Sequence, residues 1–404
     1  MRIELINTGS ELLLGFTTNT HLNYIAQKLG ERGLQLARQT TVGDDRDEMR
    51  AVVNEALHRA DVLLVTGGLG PTSDDFTRDI VAELCGRPLQ RDETVAAFIA
   101  ERFRRRGLTM PASVEVQALV PQGATVLPNP NGTAPGLFLT HQNCRVFLLP
   151  GPPRELRPMF EEHVLPRLPV IPDKTCRILR TTGLPESLVE QRVAPALANL
   201  TGLELGYCAR PGEVDVRLIG SPTIVADAEQ RARTALAGFI YGTGDDRLEA
   251  VIVRELTARG HTLAVAESCT GGLLAHRITN ISGSSRVFLA GYVTYSNAAK
   301  IQMLGVREAT LQHHGAVSEP TCREMAEGAR LRSGTDYALA ITGIAGPTGG
   351  TPEKPVGLVF IGLASARTTE VVRHQLSFDR ETFKHVATQL ALDLLRRHLT
   401  SSTT

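Results

Sequence analysis

Apolar residues fall in two rhythms along this chain. Short unbroken runs at residues 3–7, 61–65, 145–149, 262–266 and 338–341 read as buried strands, and 34–42 reads as a less apolar one. Between them the spacing becomes helical: Leu22, Ile25, Ala26 and Leu29 form a stripe within 20–32, closed by Gly33, and 46–60 follows as a second helix. This alternation predicts a parallel sheet with helices on both faces. A proline-dense stretch at 166–173 reads as a linker. Beyond it the order changes to strand 176–182, helix 186–200, strands 203–208 and 213–219, and helix 224–239, a small α+β unit. Alternation then resumes with helix 248–259, strand 262–266, helix 273–281, strand 291–295, helix 298–304, strands 338–341 and 356–364, and a last helix at 382–399. The predicted fold class is α/β, with units at 1–170, 171–245 and 246–404.

Composition narrows the function classes. Basic and acidic residues balance at 43 each, so net charge announces neither nucleic acid nor an anionic membrane. The six cysteines lie far apart without a CxxC, which argues against a disulfide framework or zinc ribbon and for a reducing cytoplasm. The start, Met1-Arg2-Ile3-Glu4, opens no signal-peptide core, and no apolar run reaches membrane-spanning length.

Candidate chemistry sits where strands end. Thr66-Gly67-Gly68-Leu69-Gly70-Pro71-Thr72-Ser73-Asp74-Asp75 follows the strand at 61–65. Gly67, Gly68 and Gly70 let backbone approach a ligand closely, and N–H groups there suit phosphate. No Lys-Ser/Thr follows, so this is not a Walker loop, and the dinucleotide fingerprint is incomplete. Asp74 and Asp75 beside such a cradle suit a hard divalent cation; an Asp N-cap on the helix at 76–85 is the plainer account. Loops 8–15 and 150–155 also follow strands, and ligands of open α/β sheets bind at the strands' carboxyl ends, so the three loops are expected to line one site.

Ala266-Glu267-Ser268-Cys269-Thr270-Gly271-Gly272 joins strand 262–266 to helix 273–281. It sets two hydroxyls and a thiol at a helix N-terminus, where free N–H groups favour a developing anion; an ordinary capped turn is the plainer account. Ser268 is one candidate nucleophile. Cys269 is its rival, because a helix N-terminus lowers a thiol pKa, although no histidine lies near it in sequence. Ser296-Asn297 is expected to cap helix 298–304, which places Lys300 in the first turn. There the dipole depresses its pKa, and a neutral lysine serves as a base; a solvated surface lysine is the plainer account. Thr342-Gly343-Ile344-Ala345-Gly346 forms a second glycine-lined wall, and Arg380 stands ahead of the last helix, where it suits a ligand phosphate.

GSELLLG (9–15), TGGLGPTSDD (66–75), NGTAPG (131–136), LPGPPREL (149–156), AESCTGG (266–272), VTYSNAAK (293–300) and ITGIAGPTGGTPEKPVG (341–357) together resemble the CinA family of competence/damage-inducible proteins, over nearly the whole chain. The resemblance implies a molybdopterin-binding-like three-layer αβα domain, a small KH-like middle domain and a C-terminal α/β nicotinamide-nucleotide amidase domain. It implies hydrolysis of nicotinamide mononucleotide to nicotinate mononucleotide and ammonia, with Ser268 as nucleophile. Tyr295 and Lys300 would activate it, Thr342 would be a further active-site hydroxyl, and Arg380 would face the phosphate. Thr270, Gly271, Gly272, Gly343 and Gly346 would line the substrate, and backbone N–H groups around 270–272 would hold the oxyanion.

For the N-terminal domain the resemblance implies metal-dependent cleavage of ADP-ribose to AMP and ribose 5-phosphate. Gly67, Gly68, Gly70, Thr72, Asn131 and Gly132 would surround that substrate. The ion would be Mg, Mn or Co, with K as an additional candidate; the amidase half would need no cofactor. Asp75 and Asp44 match motif aspartates, and Asp74, Asp75, Asp44 and Glu155 are candidate ligands. Their roles, and that of Glu11, are not separated by sequence. A homodimer is expected, with no membrane or nucleic-acid partner. Two other readings stand beside these. One is a molybdopterin-cofactor binding or transfer protein. The other is a competence-related nucleic-acid accessory factor, against which residues 174–243 lack the GXXG loop that a KH module needs.

Overall fold

The structure, a computed structural model, describes residues 1–401. The chain divides into two compact units, Met1–Thr175 and a second that begins at Cys176.

The first unit is built on six strands in the order Leu36–Val42, Ile3–Thr8, Val62–Thr66, Cys144–Leu149, Gly136–His141, Thr125–Leu127. The first four are parallel and the last two antiparallel, so the sheet is mixed rather than parallel throughout. The reason is local: Gln142-Asn143 makes a two-residue hairpin turn, with Gln142 at φ 52°, and no crossover helix separates those strands. The central strands are apolar on both faces because both are covered. Ile3, Leu5, Leu64 and Phe147 pack with Ile25, Leu29, Leu156 and Phe160 on one side. Ile6, Leu63, Val65 and Val146 pack with Met49, Val53 and Ile80 on the other. The result is a three-layer αβα domain.

Residues 89–121 form an excursion that the sequence reading did not include. Strands Leu89–Arg91 and Leu119–Pro121 pair, and between them the helix Glu93–Arg105 and the 3-10 turn Ala112–Ala118 close over Val95, Ile99, Val114 and Ala118. The proline-dense stretch is not a free linker. Leu165 and Leu168 are buried in the first unit's core, and the Ile171 N–H bonds the Arg32 carbonyl.

The second unit opens with a four-stranded sheet, Glu204–Arg210, Glu213–Gly220, Thr175–Thr182, Ile240–Thr243, the last of these unforeseen. Helices Glu186–Leu197 and Pro222–Ala235 bury Val189, Val193, Val225 and Ala228 against it. A five-stranded sheet follows in the order Phe288–Val293, Leu263–Glu267, Tyr337–Gly343, Leu358–Ala364, Thr369–Gln375. Its first three strands are parallel and its last two antiparallel. Strand alternation separates its faces by size. Leu263, Val265, Leu339 and Ile341 meet the large side chains of the helices Leu248–Arg259 and Arg380–Ser401. Ala264, Ala266, Ala338 and Ala340 face Met325, Ala326 and Ala329 of the helix Glu319–Ser333. Gln389 and Arg396 of the last helix bond Glu213 and the Gly238 carbonyl, so the two sheets of this unit are tied together. Among the described residues no helix is long and apolar enough to cross a membrane.

Candidate active sites

In the second unit, three strand ends meet at Ser268. Its N–H bonds the Ile341 carbonyl at 3.0 Å, and the Thr294 N–H bonds the Glu267 carbonyl at 2.8 Å. Ser296 caps the helix Asn297–Leu304 as expected, its hydroxyl accepting from the Ala299 N–H. That helix turns Lys300 inward. Lys300 Nζ donates to Ser268 Oγ at 3.0 Å, to the Thr294 carbonyl at 2.7 Å and to the Tyr295 carbonyl at 3.4 Å. Lys300 is fully buried, and burial pulls its ammonium below the ordinary lysine value. Lost hydration is the leading cause. The bonds of Nζ go to neutral oxygens, none to a carboxylate.

Glu267, which sequence reading passed over, explains the turn. It is fully buried, and its carboxylate accepts from the N–H groups of Gly272 at 3.1 Å, Leu274 at 3.0 Å and Ala275 at 2.8 Å. The helix N-terminus expected to favour an anion thus already holds one. Two consequences follow. The Gly272 N–H is taken, and the Gly271 N–H goes to the Ser268 carbonyl at 3.1 Å, so of the expected oxyanion donors only the Thr270 N–H is left without such a bond. And Cys269 gains no thiolate: burial pushes its thiol up to about 12.

The side chains of the other predicted residues bond elsewhere than to this pair. Tyr295 is 63% exposed; its hydroxyl accepts from Arg380 Nη2 at 3.2 Å, and only its carbonyl reaches Lys300. Arg380 Nη1 donates to the Gly346 carbonyl at 2.7 Å, so the guanidinium ties two rim loops together. Thr342 is fully buried, and its hydroxyl donates to the Ala316 carbonyl at 2.8 Å. Gly343 leaves room for the Leu358 carbonyl, 2.7 Å from where a Cβ would stand. Thr270 Oγ1 is buried and meets no partner among the described residues.

In the first unit the three predicted loops do converge. A cleft of about 440 Å³ is lined by Thr8, Gly9 and Glu11, by Gly67–Gly70 with Asp74 and Asp75, and by Pro150–Pro152 with Arg154 and Glu155. Asp44, Asn131 and Gly132 complete the predicted set; Thr72 lies outside it and instead holds Asp75, through its N–H at 3.0 Å and its hydroxyl. Asp44 accepts from the Ser10 N–H at 2.8 Å, and its own N–H bonds Ser10 Oγ at 2.9 Å, which clamps loop 8–15 to the next strand end. Glu155 is buried against Gly132 and accepts from Asn129 Nδ2 at 2.8 Å. Asp74 is exposed, and hydrogen bonding within the turn, its own backbone N–H included, holds its carboxyl below the usual value. Among the described residues no three His, Cys, Asp or Glu side chains stand close enough to hold a metal ion alone. That donor set does not make a closed protein cage. It fits a hard cation bound through one or two carboxylates, with water and phosphate oxygens completing the sphere. Sequence reading missed Arg102, Arg106 and Gln117, which reach the cleft from the excursion at 89–121.

Two α/β sheets with loops gathered at strand ends, one bearing a glycine-rich carboxylate cleft and the other a buried serine–lysine pair, define the class: a multidomain α/β protein with a molybdopterin-binding-like N-terminal domain. Residues 4–170 match the probable molybdopterin binding domain, 176–242 the damage-inducible protein CinA KH domain and 245–399 the CinA C-terminal domain. The chain is 44% identical over 400 residues to a CinA-like protein of Akkermansia muciniphila, covering 97% of this chain and 96% of that one. It is 41% identical over 408 residues to a CinA-like protein of Kosmotoga olearia, covering 99% of each. The crystal structure of competence/damage inducible protein CihA from Agrobacterium tumefaciens is 44% identical, covers 38% of this chain and 93% of that one, and gives a TM-score of 0.36. The chain belongs to the CinA family.

Proposed function

We propose that the C-terminal domain is a serine amidohydrolase that converts nicotinamide mononucleotide and water to nicotinate mononucleotide and ammonia. One observation supports the serine–lysine chemistry, a fully buried Lys300 donating to Ser268 Oγ at 3.0 Å with its charged form disfavoured by burial, and the choice of substrate follows from the family resemblance. A neutral amine accepts the Ser268 proton as Oγ attacks the carboxamide carbon. The tetrahedral oxyanion rests on the N–H groups of Cys269 and Thr270. Its collapse breaks the C–N bond and releases ammonia, protonated from Lys300. Water then attacks the acyl–Ser268 ester and restores the serine. Arg380 at the rim takes the phosphate, and Tyr295 orients that guanidinium. The test is ammonia release from the mononucleotide by purified protein. Ser268→Ala should lower it by about 10³-fold or more; near-normal deamidation by that variant refutes the mechanism.

A second reading concerns the first unit, and its cleft favours it. Carboxylates Asp74 and Asp75 and arginines Arg102, Arg106 and Arg154 line one space beside the Gly67–Gly70 turn. We infer a metal-dependent pyrophosphatase acting on ADP-ribose. Asp74 and Asp75 would hold the divalent cation, which when bound supplies charge neutralisation at the pyrophosphate and a more acidic water. The Gly67–Gly70 backbone cradles phosphate, and the arginines balance its remaining charge. Chelator should stop ADP-ribose cleavage and spare deamidation. A protein that only binds or transfers a molybdopterin cofactor would do neither reaction.

A further inference from the structure

The excursion at 89–121 brings one side chain to the cleft that no other feature accounts for. Gln117, on the 3-10 turn Ala112–Ala118, is 2% exposed yet lines the cleft. Its Nε2 donates to the Leu69 carbonyl at 3.3 Å, which fixes the orientation of the amide. Its Oε1 is buried and meets no donor among the described residues. A carbonyl oxygen only accepts, and leaving it unpaired in a buried place is costly. The partner it lacks must bring an O–H or N–H.

Its location selects which. Gln117 is anchored to Leu69, inside the Gly67–Gly70 turn suited to phosphate, so the donor it meets lies close to the ligand's phosphates. In a nucleoside diphosphate the groups that close are sugar hydroxyls; the amino group of the base lies farther away. Arg106, whose guanidinium has no hydrogen bond or ion pair among the described residues, lines the same cleft and supplies charge for the phosphates.

We propose that Gln117 is the specificity-determining residue of this cleft, its Oε1 accepting a hydrogen bond from a ribose hydroxyl adjacent to the diphosphate. The proposal rests on the reading of the cleft as an ADP-ribose site. It is tested by calorimetric titration of the full chain with ADP-ribose, with analogues each lacking one ribose hydroxyl, and with the inosine analogue lacking the base amino group. In the wild type, loss of one hydroxyl should weaken binding about 10- to 100-fold. Gln117→Met should weaken ADP-ribose binding by a similar factor and become indifferent to that hydroxyl alone. Gln117→Glu, which keeps acceptor oxygens but loses the donor to Leu69, should retain the discrimination, and it decides the matter if the Met variant does not fold. Three results overturn the proposal: Gln117→Met binding as the wild type does, equal weakening toward every analogue, or a penalty that vanishes for the inosine analogue instead. If the wild type binds no ADP-ribose, the nucleotide reading of the cleft fails and the proposal falls with it; if it binds and only the Gln117 pattern is wrong, the proposal fails alone.

Discussion

Lys300 and Glu267 are the two buried ionisable side chains that shape the serine site, and they act in opposite ways. Glu267 is satisfied three times over by backbone N–H groups, so it is a structural anion. Glu267→Ala would strand those donors and should cost roughly 2–5 kcal/mol of unfolding free energy, read from urea titration. Lys300 is desolvated without a counter-charge, and that makes it a base. The rate constant kcat/KM for the mononucleotide should climb with pH through one ionisation whose midpoint lies below 10.5, the ordinary lysine value. Lys300→Met should remove that ionisation and about 10²- to 10⁴-fold of activity. The same group sets a stability trend. Because its folded-state value is depressed, the unfolded chain binds the extra proton, so stability is present above 10.5 and is lost as pH falls through the folded-state value. Thermal scans across that window should show Lys300→Met losing less stability than the wild type. Cys269→Ser should leave activity within a few-fold, since the thiol stays protonated at neutral pH.

At the scale of elements, most strands and helices were readable because each is a long periodic segment bounded by glycine or a cap. Several elements that escaped are short or sparsely patterned, but the helix Glu319–Ser333 is neither: it runs fifteen residues from a Ser318 cap to Gly334 and was passed over. The three-residue strands Leu89–Arg91 and Leu119–Pro121 carry no alternation to read, whereas the helix Glu93–Arg105 between them carries a stripe of Val95, Ile99 and Phe103 that was passed over. The edge strand Thr369–Gln375 has no fully buried residue, and so no apolar run. Turns were more legible, because glycine there answers a geometric demand. Gly68 sits at φ 64°, and a Cβ on it would stand 2.1 Å from Thr77 Oγ1. Gly68→Ala should therefore destabilise the first unit by about 1–3 kcal/mol and impair ADP-ribose cleavage, while deamidation stays unchanged. Parallel assays of the two reactions on that variant check it.

At the scale of the whole molecule, the two units each carry their own sheet and their own buried clusters, which makes the two sites chemically separable. Asp75→Asn should abolish ADP-ribose cleavage and spare deamidation, and Ser268→Ala should do the reverse. Loss of both activities in either variant would mean that the units do not work independently. Sequence alone determined the α/β class, the gathering of loops 8–15, 66–75 and 150–155, and the candidacy of Ser268 and Lys300, because periodicity and turn chemistry are local properties. Only the tertiary structure decided which candidates meet. Tyr295 and Lys300 are five residues apart, yet the helix cap turns one inward to Ser268 and leaves the other's ring in solvent beside Arg380. Likewise no local signal tells whether an acid ahead of a helix caps it or stays free, or that Gln117 reaches across to Leu69. Those outcomes depend on burial and on partners distant in sequence, and burial is what converts a lysine into a base and a glutamate into a cap.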